Sequence, residues 1–153
     1  ALSLAHAAGG QGMVLGQALD IAAETAPEPL TLEEIIALQA GKTGALIMWA
    51  ATAGPRMARA DTSAMERYAK ALGLAFQVRD DIIDVIGDEA NTGKAVGKDA
   101  AAGKATFVSL LGLEAAKARA HALAEEACDA LSPYGQRAQS LRDLAQFVVS
   151  RTA

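Results

Sequence analysis

The sequence predicts an all-α fold of about five helices, and three observations carry that prediction. Alanine, the best helix former, supplies 37 of the 153 residues. Aromatic residues make up only 4%, and strands draw on aromatic and β-branched residues. Apolar positions recur at helical spacing between Gly and Pro breaks. One domain with a sizeable core is the default at this length.

The elements follow in order. Residues 1–25 form a small-residue helical block containing Gly9, Gly10, Gly12 and Gly16. Glycine weakens a helix, so these positions are expected where another backbone or a ligand packs closely. Pro27-Glu28-Pro29 is a turn. Thr31 and Glu34 have the spacing of a capping box and start the next helix. Its apolar residues, from Leu32 to Trp49, cover most faces, and it should stop near Gly54-Pro55. Asp61-Thr62-Ser63 caps a third helix that ends near Gly87-Asp88. A polar loop over 89–103 leads to two last helices, over about 106–131 and 133–150. Leu110, Leu111, Leu113, Leu141, Leu144, Phe147 and Val148 are their expected core contacts.

Composition excludes several function classes. The net charge of −4 leaves no basic footprint for nucleic acid. Cys128 is the one cysteine, so no intrachain disulfide or thiolate zinc site can form, and a reducing cytoplasmic setting fits. The strongest apolar run, Ala45 to Ala53, has nine residues, against roughly 18 for a membrane span. The N-terminus lacks the basic start of a signal peptide. It also lacks Met and opens in mid-pattern, which predicts a fragment.

The informative segment is FQVRDDIIDVIGD, Phe76 to Asp88. Asp80, Asp84 and Asp88 lie four apart and share one helix stripe, with Asp81 on its border and Gln77 one turn back. Like charges at this spacing oppose the helix by about 0.2–0.5 kcal/mol per pair. The negative end of the macrodipole adds roughly 0.3–1 kcal/mol. Ile82, Ile83, Val85 and Ile86 hold the helix in the core, so the carboxylates cannot drift apart. A bound cation would remove both penalties. Carboxylates without His or Cys select a hard ion, and Mg²⁺ suits few carboxylates combined with substrate phosphates.

Directly after comes a Gly-rich segment with Lys94, Lys98, Asp99 and Lys104. It is not a P-loop, because the upstream strand and glycine spacing are absent. Lysines beside a metal stripe can clamp a diphosphate; taken alone, the segment is an exposed basic loop. Gly41-Lys42-Thr43-Gly44 interrupts an apolar helix. Lys42 there should find an anion or reach solvent, and the glycines can loosen the helix and free a carbonyl. Gln17 and Asp20 are polar residues in an apolar stretch, one turn apart.

Taken together, these residues resemble the C-terminal half of a short-chain trans-isoprenyl diphosphate synthase, of the bacterial farnesyl diphosphate synthase type. The carriers are GMVLGQALD (Gly12 to Asp20), GKTGALI (Gly41 to Ile47), GLAFQVRDDIIDVIGD (Gly73 to Asp88), GKAVGKDAAAGKATFVSLLG (Gly93 to Gly112) and FVVSR (Phe147 to Arg151). The resemblance spans residues 1–153 and implies the C-terminal part of the isoprenoid synthase helical bundle. It implies that Asp80, Asp81 and Asp84 form the second aspartate-rich motif, with Asp80 a direct Mg²⁺ ligand. It assigns Lys42, Lys94 and Lys104 to the allylic diphosphate. Thr43 and Gln77, with the Lys42 carbonyl, would face the allylic cation, and Gln17 and Asp20 would be supporting polar groups. Lys98 and Asp99 would sit in a lid.

The implied reaction is head-to-tail condensation of isopentenyl diphosphate with dimethylallyl or geranyl diphosphate to farnesyl diphosphate. Three Mg²⁺ ions, or Mn²⁺ in their place, would serve the complete enzyme, and a homodimer is the usual assembly. The family's first aspartate-rich motif, isopentenyl diphosphate site and chain-length residues belong to an N-terminal half absent from this chain, so the chain alone is expected to be inactive. A geranylgeranyl or other short-chain synthase and a non-catalytic synthase subunit are the alternatives. A plain helical scaffold would leave the clustered aspartates unexplained. His6 and His121 carry no expected role, and Cys128 reads as a small core residue. Arg151 resembles a basic tail residue near the active-site mouth of relatives, but surface charge is the preferred reading.

Overall fold

The computed structural model describes residues 1–92 and 105–152, with the backbone alone for 88–92. The described residues are helical, with no strand among them. Their α-helices are α1 (Leu2–Ala8), α2 (Met13–Ala23), α3 (Leu32–Gln39), α4 (Ala45–Met57), α5 (Ser63–Thr92), α6 (Phe107–Leu111), α7 (Leu113–Ala130) and α8 (Gln139–Ser150). A π turn, Ala40–Gly44, joins α3 to α4, and a 3₁₀ segment, Ser132–Ala138, precedes α8. The five expected helices are thus present but subdivided, and glycine lies at each break. Gly9–Gly12 separates α1 from α2, Gly41 and Gly44 lie within the π turn, and Gly112 divides α6 from α7 with φ 83°.

The spine is α5, which packs along α7. Its buried residues Ala71, Ala75, Val78 and Ile82 belong to one cluster with Ala116, Ala120, Leu123, Ala124 and Ala127 of α7. Small side chains on both helices favour close packing of their axes. Tyr68 closes this core against α8, its hydroxyl donating to the Leu141 carbonyl at 2.9 Å.

The caps form where the sequence puts them. The Thr31 side chain accepts from the Glu34 N–H, and the Glu34 carboxylate accepts from the Thr31 N–H at 2.8 Å. Asp61 Oδ1 accepts from the Ser63 N–H at 3.1 Å, at the start of α5.

Several boundaries differ from expectation. Helix α4 runs through Pro55 to Met57 and ends on Arg59, whose φ is 52°. Proline's fixed φ suits a helix, and although its missing N–H removes the bond to the Ala51 carbonyl, only two helical residues follow it. Helix α5 continues past Gly87-Asp88 to Thr92, since a single glycine weakens a helix without ending it. Three of the expected core residues, Leu110, Leu144 and Phe147, lie exposed, whereas Val148 is buried. Cys128 is half-buried and packs against the core.

Candidate diphosphate and metal site

The site is built on α5 and on the π turn that leans against it. Glycine fixes this approach at two points. A Cβ on Gly16 of α2 would lie 2.1 Å from the Lys42 backbone nitrogen and 2.7 Å from the Gly41 carbonyl carbon. On the other side, a Cβ on Gly73 of α5 would lie 3.5 Å from the Gly44 Cα. The turn is held backbone against backbone between α2 and α5. Close approach of this kind is what the glycines of the first block predicted, whereas the GKTG glycines were expected to loosen the helix, where the π turn lies.

A π turn carries one residue more than an α-helical turn, and such bulges shift side chains out of the regular helical register. Here the extra residue lies within Ala40–Gly44, which carries Lys42 and Thr43. Lys42 finds an anion: its Nζ lies 2.6 Å from Asp20 Oδ2, and Asp20 is buried. Pairing is what makes a buried carboxylate tolerable. Thr43 is half-buried, and Gln17 is exposed on α2.

One turn beyond Gly73, Gln77 donates from Nε2 to Asp81 Oδ1 at 3.2 Å. The other oxygen of Asp81 accepts from the Phe107 N–H at 2.8 Å, and the residue is 8% exposed. Asp81 therefore ties α5 to the first turn of α6, whose N–H groups have no intrahelical acceptors. Asp80 faces elsewhere and is ion-paired with the Arg151 guanidinium. Asp84 is exposed one turn further on. The second-motif carboxylates thus do different things, and no group of three metal-ligating residues gathers among the described residues. Lys94, Lys98, Asp99 and Lys104 lie outside the described residues, as does the Asp88 side chain.

Arg151 is the residue whose place the sequence reading set too far out, preferring surface charge to a tail position near the site. It is well covered, its guanidinium stacks 4.5 Å from the Phe76 ring centroid, and its carbonyl accepts from Arg79 Nε at 2.9 Å. The available signal was the spacing of Phe76, Arg79 and Asp80, which puts all three on one face of α5.

Between α5 and the π turn lies an apolar cavity of about 190 Å³, walled by Ile36, Gln39, Gly44, Met48, Gly73 and Leu74, among others. It follows α5 toward its N-terminus, on the side where the π turn packs.

Comparison with known proteins gives this arrangement its relatives. The polyprenyl synthetase family profile matches residues 3–144. The chain belongs to the polyprenyl synthetase family. This polyprenyl synthetase chain is 42% identical over 156 aligned positions to farnesyl diphosphate synthase of Escherichia coli, covering 97% of the chain and 51% of that protein. The structure of an FPP/GFPP synthase from Zymomonas mobilis superposes with a TM-score of 0.84 at 43% identity, over 96% of this chain and 49% of that one. A geranyltransferase from Helicobacter pylori, complexed with magnesium and isoprenyl diphosphate, superposes with a TM-score of 0.73 at 34% identity, over 96% and 48%. The chain spans about half the length of the curated relatives it matches. No helix among the described residues is long and apolar enough to cross a membrane.

Proposed function

We propose that residues 1–153 are the C-terminal part of a polyprenyl synthetase domain, supplying its second aspartate-rich motif and part of its allylic diphosphate site. The complete enzyme then condenses isopentenyl diphosphate with dimethylallyl or geranyl diphosphate to give farnesyl diphosphate. The observation that carries this reading is the π turn packed on α5. It brings a loosened backbone with Lys42 and Thr43 against the helix whose next turns hold Gln77 and Asp80. The cavity supports a hydrocarbon-chain substrate, because the surface it exposes is nearly all carbon although Gln39 and Lys70 stand among its walls.

Mg²⁺ fits the donor chemistry of the stripe. All candidate ligands are carboxylate oxygens, and Asp80 already sits against a positive group, the Arg151 guanidinium. Mg²⁺ needs only one or two protein carboxylates when waters and phosphates complete its shell. Asp80 and Asp84 would hold it, and Asp81, occupied with Phe107 and Gln77, would brace the stripe and act through water. When bound, the metal would neutralise the negative charge of the diphosphate leaving group.

The chain's own residues do the rest. Lys42, held by Asp20, turns its remaining N–H donors to a diphosphate oxygen, with Lys94 and Lys104 adding charge. Thr43 and Gln77 orient the allylic carbon by their dipoles. Gln17 and Asp20 support Lys42 from α2. The cavity walls exclude the water that would quench a carbocation. A cytoplasmic homodimer is the setting of this reading, and the first aspartate-rich motif comes from an N-terminal half. The 153-residue chain alone is expected not to turn over.

Two experiments test the proposal. Mg²⁺ and inorganic diphosphate titrated calorimetrically should bind the protein, and Asp80→Ala should weaken that binding at least tenfold. Equal binding by the variant would refute the site. Chromatography of the complete enzyme's products decides between the fifteen-carbon diphosphate and the geranylgeranyl alternative, with the absence of both pointing to a non-catalytic subunit.

A further inference from the structure

We propose that Arg151 is a built-in counter-cation of Asp80, which a divalent metal must displace. The inference rests on the reading of Asp80 as a metal ligand and adds a competitor for that ligand from the chain's own tail.

The geometry separates the tail's anchor from its charge. Arg79 holds the Arg151 carbonyl from Nε at 2.9 Å, and the Arg151 N–H donates to the Phe147 carbonyl at 2.9 Å. Those bonds fix the backbone where α8 ends. The side chain is held independently, by the Asp80 carboxylate and the Phe76 ring face. It can therefore swing away from Asp80 while the backbone stays docked.

The pairing is also incomplete. Arg151 Nε is buried with no hydrogen-bond partner among the described residues. A buried donor without an acceptor opposes the conformation that buries it. Swinging outward returns this N–H to water, which favours release. A metal ion and a guanidinium both seek the Asp80 oxygens, and they repel each other at contact distance. Binding of one must weaken binding of the other, and by linkage the effect is reciprocal. The guanidinium neutralises Asp80 while no metal is held, which removes the like-charge penalty within the acidic stripe. Its departure frees a positive group beside the site, where a diphosphate would supply the next negative charge.

The test titrates the protein with Mg²⁺ alone by calorimetry at fixed ionic strength, using Arg151→Gln, Arg151→Lys and Asp80→Asn beside the parent. Arg151→Gln should bind Mg²⁺ about fivefold more tightly or better, in the range of ordinary coupling between linked sites. Arg151→Lys keeps the positive charge and should fall near the parent. In the parent, Mg²⁺ should move the Arg151 Nε–H resonance while the Arg151 backbone amide stays protected from exchange. Circular dichroism melts establish that each variant is folded. If Asp80→Asn abolishes Mg²⁺ binding but Arg151→Gln binds no more tightly than the parent, the counter-cation is refuted and the metal site stands. If Asp80→Asn binds as the parent does, both are refuted. Absence of Mg²⁺ binding by Arg151→Gln also overturns the inference.

Discussion

Replacing Gly16 by alanine should destabilise the protein, although helix propensity alone argues the opposite. Gly16 lies within α2, where alanine is favoured over glycine by about 1 kcal/mol. The added Cβ would meet the Lys42 nitrogen at 2.1 Å, the Lys42 Cα at 2.6 Å and the Gly41 carbonyl carbon at 2.7 Å. All three are backbone atoms, so no flexible side chain can yield. Overpacking costs about 1–3 kcal/mol, and a clash against three backbone atoms belongs at the upper end. The net expectation is a loss of about 2 kcal/mol. Gly87→Ala is the control, because a Cβ there meets nothing within 4 Å among the described residues and α5 is helical on both sides. It should gain about 0.5–1 kcal/mol. Urea unfolding gives both values from shifts in the midpoint at constant slope. Because the clash falls on the π turn, Gly16→Ala should also weaken diphosphate binding while Gly87→Ala leaves the turn untouched. A Gly16→Ala protein as stable as its parent would refute the backbone-on-backbone packing and the positioning of Lys42 derived from it.

Two further changes probe the core and the second carboxylate. Burial, with a smaller contribution from nearby Cys128, pushes the Tyr68 hydroxyl up to about 12 from its ordinary 10. The unfolded chain then releases this proton first. The stability that Tyr68 contributes is fully present below pH 10 and is lost as pH rises toward 12, by up to about 2 kcal/mol. Tyr68→Phe loses the Leu141 hydrogen bond, so it should be less stable at pH 7 by about 0.5–1.5 kcal/mol. Denaturant titrations at several pH values should show that gap closing above pH 10 and reversing in sign near pH 12, and a constant gap would contradict the shift. Asp81→Ala strands the buried Phe107 N–H and should cost about 1–3 kcal/mol, with Asp81→Asn recovering most of it through its amide oxygen. Equal losses from both variants would show that the carboxylate charge, rather than this hydrogen bond, ties α5 to α6.

Much of the fold was legible because its determinants are local. Alanine content, the Thr31–Glu34 box and the Asp61–Ser63 cap act within a few residues, and each forms in the structure. The GKTG segment was legible too, since two glycines around a lysine in an apolar helix signal a disturbed turn. What escaped was decided by neighbours distant in sequence. Nothing near Arg151 says that its side chain will fold onto a carboxylate 71 residues away. Likewise, nothing near Leu144 or Phe147 says that α8 turns them outward. Gly112 and Gly87 show the local rule at its limit. The first glycine takes a positive φ and divides two helices, and the second stays helical inside α5. Which of these a glycine does depends on what the flanking residues pack against.

The adjacent pair Asp80 and Asp81 shows how one short motif holds two functions. Neighbouring residues on a helix point about 100° apart, so they meet different surroundings despite identical chemistry. Asp81 turns inward, where the α6 amide and Gln77 occupy both of its oxygens, and it fixes the height of α5 against α6. Asp80 turns toward the tail and holds a cation that can be exchanged. A site that must bind and release charged ligands needs both kinds of carboxylate. If both were occupied by structural bonds, no ligand position would remain. If both were exchangeable, the stripe would repel itself whenever it stood empty. Packing Asp81 into the fold and leaving Asp80 to a mobile guanidinium keeps the helix stable in either state, so the exchangeable charge in this half of the site is concentrated on Asp80, with Asp84 beside it.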